Sequence, residues 1–129
     1  MRIQRRTFLQ TGAAAAGLVV VSRVAAALDY PARPVHVLVG FPPGGAADIF
    51  ARLITPRLST ALGQTFLVEN RPGAGGDIAA TALVQAAPDG YTLLIASVAN
   101  SINATLHPNP KFHFPADMTP IAGISLVPL

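Results

Sequence analysis

Three short segments of this 129-residue chain carry residue types from which a small-molecule site can be built. Gly40-Phe41-Pro42-Pro43-Gly44-Gly45 and Asn70-Arg71-Pro72-Gly73-Ala74-Gly75-Gly76 are glycine-rich, and each runs into a stretch with helical apolar spacing. At such a junction the first N–H groups of the helix lack backbone partners and the positive end of its dipole points outward, which favours an anion. Glycine lets the anion approach the backbone closely. The third segment, residues 97–100, adds the hydroxyl of Ser97 and the amide of Asn100, groups suited to orienting a carboxylate or its bound waters. One glycine loop alone reads as a tight turn, whereas two at one edge of a sheet favour a small-anion site.

The anion expected is a carboxylate. No Gly-Lys-Ser/Thr phosphate loop is present and Gly73-Ala74-Gly75-Gly76 lacks the dinucleotide spacing, while a carboxylate needs only a few N–H donors and no dedicated cation. Arg71 is the single basic side chain of these loops and reads equally as a ligand contact or as the partner of Glu69. Asp48 can face a ligand hydroxyl or ammonium, but it also complements the helix dipole and stands four residues before Arg52. Asp77 reads as a cap or first-turn charge. His36, His107 and His113 share no metal-type spacing, and no base stands beside a nucleophile, so neither a metal, a cofactor nor a catalytic site is expected.

These segments need elements to hold them together. Val35-His36-Val37-Leu38-Val39 is β-branched and short, ends in a Gly/Pro run, and predicts a strand. Residues 46–62 predict a helix, stopped by Gly63, whose apolar positions Phe50, Ile54, Leu58 and Leu62 form an inward stripe flanked by Ile49 and Leu53. Pro56 lies inside it and predicts a kink or break around residues 52–55. A second strand over 66–69, a helix over 77–87 with Ile78, Ala82, Leu83 and Ala86 inward, and a third strand over 91–96 follow. The polar loop 97–100 and a short helix near 101–106 come next. The order βαβαβ with right-handed crossovers predicts parallel strands, which brings all three segments to one sheet edge. The proline-rich stretch 107–120 predicts an extended surface connection, and 121–129 another strand.

Composition narrows the class. With 51% hydrophobic and 12% charged residues the chain is no disordered tail, and the absence of cysteine excludes a disulfide scaffold, a Cys-based zinc site and thiolate catalysis. The formal charge of +3 belongs to the start of the chain: beyond residue 27, five basic residues face all six acidic ones, so no nucleic-acid partner is expected. Residues 1–27 read as an export signal, with a basic start, sixteen uncharged residues from Thr7 to Ser22 and cleavage after Ala27. That stretch is shorter than the roughly 20 residues a spanning helix needs. Gln4-Arg5-Arg6-Thr7-Phe8-Leu9 is similar to the twin-arginine motif, which implies export in the folded state.

Phe41-Pro42-Pro43-Gly44-Gly45-Ala46-Ala47-Asp48, Glu69-Asn70-Arg71-Pro72-Gly73-Ala74-Gly75-Gly76 and Ala87-Pro88-Asp89-Gly90-Tyr91-Thr92-Leu93-Leu94 together resemble the substrate-binding proteins of tripartite tricarboxylate transporters, the Bug family, in order and at matching intervals. The resemblance implies an α/β fold, with residues 28–129 forming an incomplete N-terminal lobe of a type 2 periplasmic-binding-protein fold: a parallel βαβαβ sheet whose second lobe is absent. It further implies a periplasmic, monomeric receptor, not an enzyme, that takes no cofactor and hands a small carboxylate to a membrane permease. On matching positions the ligand would be held by Phe41, Gly44, Gly45, Ala46, Ala47, Asp48, Gly75, Gly76, Ser97 and Asn100, largely through backbone groups and bridging waters. Ala46-Ala47 departs from the Gly then Thr or Ser of many relatives, so a hydroxyl contact is missing. The chain is also far shorter than family members and reads as a truncated product, which implies weak ligand binding. Two competing readings are a small α/β hydrolase or phosphate-processing enzyme using Asp48 or Ser97, and a non-functional truncated product that does not fold stably.

Overall fold

The computed structural model describes residues 30–106, 113, 114 and 116–125. The chain divides into two units, Met1–Ala32 and Arg33–Leu129. Of the first, residues 30–32 are described and have no regular structure, with a cis peptide between Tyr30 and Pro31. The export signal expected over 1–27 lies outside the described residues.

In the second unit the elements are β1 (Val35–Val39), α1 (Ala46–Leu62), β2 (Phe66–Asn70), a 3-10 turn (Ala74–Gly76), α2 (Asp77–Gln85), β3 (Thr92–Ile95) and α3 (Val98–Leu106). The sheet order is β2-β1-β3, with both pairings parallel. Val35 stands opposite Phe66, and His36 opposite both Leu67 and Thr92. The apolar run of β1 is explained by this central place, since a strand with a neighbour on each side and helices above and below has no solvent face. The chain steps from β1 to one side and then crosses back over it to the other. Right-handed crossovers therefore put α1 and α2 on opposite faces. Accordingly Val35, Val37 and Phe66 form a core with Leu58 of α1 on one face, while Leu38 is buried on the other, where α2 contributes the fully buried Ala79 and Ala80.

Four expectations are corrected. First, α1 runs unbroken through Pro56. Proline removes only the bond to the Arg52 carbonyl, and both halves of the helix are anchored, by buried Ala51 and Thr55 before it or beside it and by Leu58 after it. Ser59 Oγ reinforces the join, donating to the Thr55 carbonyl (2.8 Å) and accepting from Phe66 N–H (3.0 Å). Second, the inward face of α1 is Asp48, Ala51, Thr55 and Leu58, while Ile49 (51% exposed), Phe50, Leu53 (62% exposed) and Leu62 lie outward. The helix is turned by a polar residue, as the site below explains. Third, Ile78 of α2 points outward, and residues 98–100 belong to α3 rather than to a loop. Fourth, residues 121–125 form no strand; residues 126–129 of that expectation lie outside the described residues.

Candidate functional site

Parallel strands bring the loops after β1, β2 and β3 to one edge, and the strand order makes one place on that edge special. From β1 the chain turns towards β2 and later returns past β1 to β3, so the connections diverge and leave a crevice outside the carboxyl ends of β1 and β3, where open α/β sheets bind ligands. An open depression of about 370 Å³ lies there, lined by Phe41, Pro42 and Pro43 of the first loop, Gly45, Ala46 and Ala47 at the start of α1, and Ser97 after β3. Its side chains are apolar apart from Ser97. The first intrahelical bond of α1 runs from Ile49 N–H to the Gly45 carbonyl (2.9 Å), so the N–H groups of Ala46 and Ala47 have no helical acceptor.

The first loop is held by a buried carboxylate. Asp48 accepts from Gly44 N–H (Oδ2, 2.9 Å), from Arg52 Nε (Oδ1 3.0 Å, Oδ2 2.9 Å) and from Asn70 Nδ2 (Oδ1, 2.9 Å). Asn70 Nδ2 also donates to the Phe41 carbonyl (3.1 Å), and Arg52 Nη2 donates to Asn70 Oδ1 (3.2 Å). Its bond to Arg52, followed by those to Gly44 and Asn70, holds the Asp48 carboxyl far below the usual carboxylate range. This is why α1 turns as it does: bringing Asp48 (3% exposed) to these donors carries Ile49, Phe50 and Leu53 to the outer side. Gly44, at φ +86°, supplies the turn that aims its N–H at the carboxylate.

The second loop is held by close packing. A Cβ on Gly40 would stand 2.6 Å from Gly76 Cα, one on Gly76 2.9 Å from Asn100 Nδ2, and one on Gly75 2.4 Å from Asn103 Nδ2. The open sides of these glycines are thus occupied by backbone and by two amides one turn apart on α3. Asn103 Nδ2 also donates to the carbonyl of Ala74 (3.0 Å), a residue at φ +47°. Asn100 Oδ1 accepts from Ser97 N–H (3.0 Å) and Ser97 Oγ (3.3 Å), one half of a capping box at the start of α3. The Ser-x-x-Asn spacing carries that signal in the sequence. Asn100 is 2% exposed.

Comparison with known proteins places this arrangement. The family model described as "Tripartite tricarboxylate transporter family receptor" matches residues 50–129. The chain belongs to this family. The match starts at Phe50, beyond the first loop. Protein BugT of Bordetella pertussis is 41% identical over 102 residues, 78% of this chain and 31% of that protein. A UPF0065 protein of Bordetella bronchiseptica is 43% identical over 106 residues, 81% of this chain and 32% of its own length. The chain therefore spans about a third of these relatives. Among solved structures, one described as that of a periplasmic transporter is similar with a TM-score of 0.61 and 45% identity over 65% of this chain and 29% of that one. An R. palustris protein solved with adipate is similar with a TM-score of 0.50 and 45% identity over 50% of this chain and 22% of that one.

Within this receptor-family chain the ten positions drawn from the resemblance separate into two groups. Phe41, Gly45, Ala46, Ala47 and Ser97 line the depression together, joined by Pro42 and Pro43, whose residue type signals only a turn in the sequence. Gly44 and Asp48 lie behind it, bonded to each other, and Gly75, Gly76 and Asn100 form the packed wall between the second loop and α3. Arg71 pairs with Glu69 (3.1 Å). Sequence reasoning pairs Arg52 with Asp48 through their four-residue spacing on α1 but misses Asn70, because nothing in its position reports that it meets Asp48 across the sheet edge.

Proposed function

We propose that this chain carries one side of the ligand site of an extracytoplasmic receptor, which captures a small carboxylate for a tripartite tricarboxylate-type permease. The carrying observation is the depression at the divergence of the β1 and β3 connections, where free N–H groups of α1 meet Ser97 and apolar walls. Backbone donors suit a carboxylate, and the apolar walls suit its carbon chain; adipate, present in a relative's structure, has both parts. No charged side chain is needed, and none lines the depression: Arg52 and Arg71 are bound to Asp48 and Glu69. The same lining argues for binding without turnover, since Ser97, its one nucleophile, donates to Asn100 Oδ1 rather than to a base.

The test is a titration of the isotope-labelled chain with adipate, followed by amide shifts. The expected result is saturable shifts concentrated at residues 41–47 and 97, with dissociation in the millimolar range because one side of a clamp lacks the contacts that reward closure. Shifts spread elsewhere, or hydrolytic turnover of ester or phosphoester substrates, would overturn the reading. Micromolar affinity, about −8 kcal/mol, would overturn the assignment of a one-sided site.

A further inference from the structure

We propose that Asp48 is a positioning residue that never touches the ligand: ion-paired to Arg52, it holds both ends of the first loop, at Gly44 directly and at Phe41 through Asn70. The proposal rests on the carboxylate reading above only for its ligand readout.

Three features exclude direct contact. The carboxylate has about four acceptor positions, and three donors cover both oxygens: the single Arg52 Nε–H is shared between Oδ1 and Oδ2, Asn70 Nδ2 donates to Oδ1 and Gly44 N–H to Oδ2. Its side chain is 4% exposed. And a free carboxylate at the start of α1 would repel an anionic ligand; the Arg52 guanidinium cancels that charge and leaves the outward field of the helix to the ligand.

What Asp48 does instead follows from where its donors sit. Gly44 N–H lies next to Gly45, and Phe41 lines the same depression. Asn70, at the end of β2, bonds the Phe41 carbonyl and the carboxylate with one amide nitrogen, so the strand is the rigid post and the loop hangs from it. Arg52, two helical turns into α1 from Gly45, closes the ring through Asn70 Oδ1. Loop, helix and strand are thus locked by one group, and the N–H groups of Ala46 and Ala47 are presented in a set direction before any ligand arrives, which lowers the ordering cost of binding.

The experiment compares the full chain with Asp48→Asn, which keeps the volume and one acceptor but loses the charge. Amide exchange at Gly44 is expected to rise about tenfold, as for a lost hydrogen bond to a charged group, while Val35 and Phe66 at the far end of the sheet stay within about twofold. Unchanged Gly44 exchange overturns the proposal. Should the variant not fold, the native chain still decides: the Gly44 amide shift is expected to stay flat from about pH 6 to 3, where an ordinary aspartate titrates, and an inflection near 4 overturns it. With adipate as probe, Asp48→Asn is expected to weaken binding together with the Gly44 change; weakened binding with native-like Gly44 exchange makes Asp48 a ligand contact and overturns the proposal. Adipate that shifts nothing in the native chain overturns the carboxylate reading instead, and the Gly44 amide, which reads without ligand, then decides the role of Asp48.

Discussion

The loop after β1 is pinned by charge and the loop after β2 by shape, although both are glycine-rich and both open a helix. In the first, Asp48, Arg52 and Asn70 draw three elements onto one carboxylate. In the second, Gly75 and Gly76 leave out side chains so that Asn103 and Asn100 can lie against the backbone. Glycine therefore does different work in the two places: at Gly44 it makes a turn, and at Gly76 it makes room. The loop with the charge ring lines the depression, while the packed loop lies against Gly40 and α3 and contributes no lining residue. Similar sequences at the same edge of a sheet need not share a role.

The largest expected effect comes from a point where the two loops meet backbone to backbone. Gly40→Ala places a methyl 2.6 Å from Gly76 Cα, with no flexible side chain to yield. It should destabilise the chain by about 3 kcal/mol in denaturant titration; a loss under about 0.5 kcal/mol, the scale of a neutral surface change, would break the claim that the second loop is held by packing. Asn100→Ala comes next. It removes the acceptor for Ser97 N–H and empties the wall behind Gly76, for an expected loss of about 1.5 kcal/mol. Asn103→Ala deletes one exposed bond to Ala74 and the cover on Gly75, and a thermal melt should register about 0.5 to 1 kcal/mol. A reversal of these two would move the weight of the wall from Gly76 to Gly75.

Acid supplies the mildest discriminator. Glu69, at the root of the second loop, has its pKa lowered by its hydrogen bond with His36 and, less, by the one from Arg71. A lowered folded pKa means its contribution is complete above the ordinary value of 4.5 and fades as the pH falls through the lowered one. The Asp48 carboxyl is held further down, so acidification should release the Glu69 contacts before those of the first loop. Side-chain carboxyl shifts followed between about pH 6 and 2 test this order, and simultaneous titration of the two groups would contradict it. The stability change is expected to be small, because His36 and Glu69 are 42% and 34% exposed.

Much of the fold was legible residue by residue. β1 and α1 are readable with their bounds, because a β-branched run ending in glycine and proline and an apolar run ending in Gly63 are local signals. The parallel order follows from chain connectivity alone. The site was legible as an edge and as a set of loops, but not as contacts. Periodicity selects Phe50, Ile54, Leu58 and Leu62 for the core because it weighs side chains by hydrophobicity, and it cannot see that one carboxylate with three donors outranks three apolar groups in setting a helix's rotation.

The sequence by itself determined the types of β1, α1, β2, α2 and β3, the parallel order of the strands and the convergence of three loops, since each depends on local propensity or on the handedness of crossovers. Only the tertiary structure decided which way α1 faces, that Gly75 and Gly76 admit amides of α3, and that Asp48 stands behind the depression rather than in it. Those outcomes depend on which donors reach a buried acceptor across elements far apart in the chain, and a hydrogen bond formed 22 residues away leaves no periodic trace.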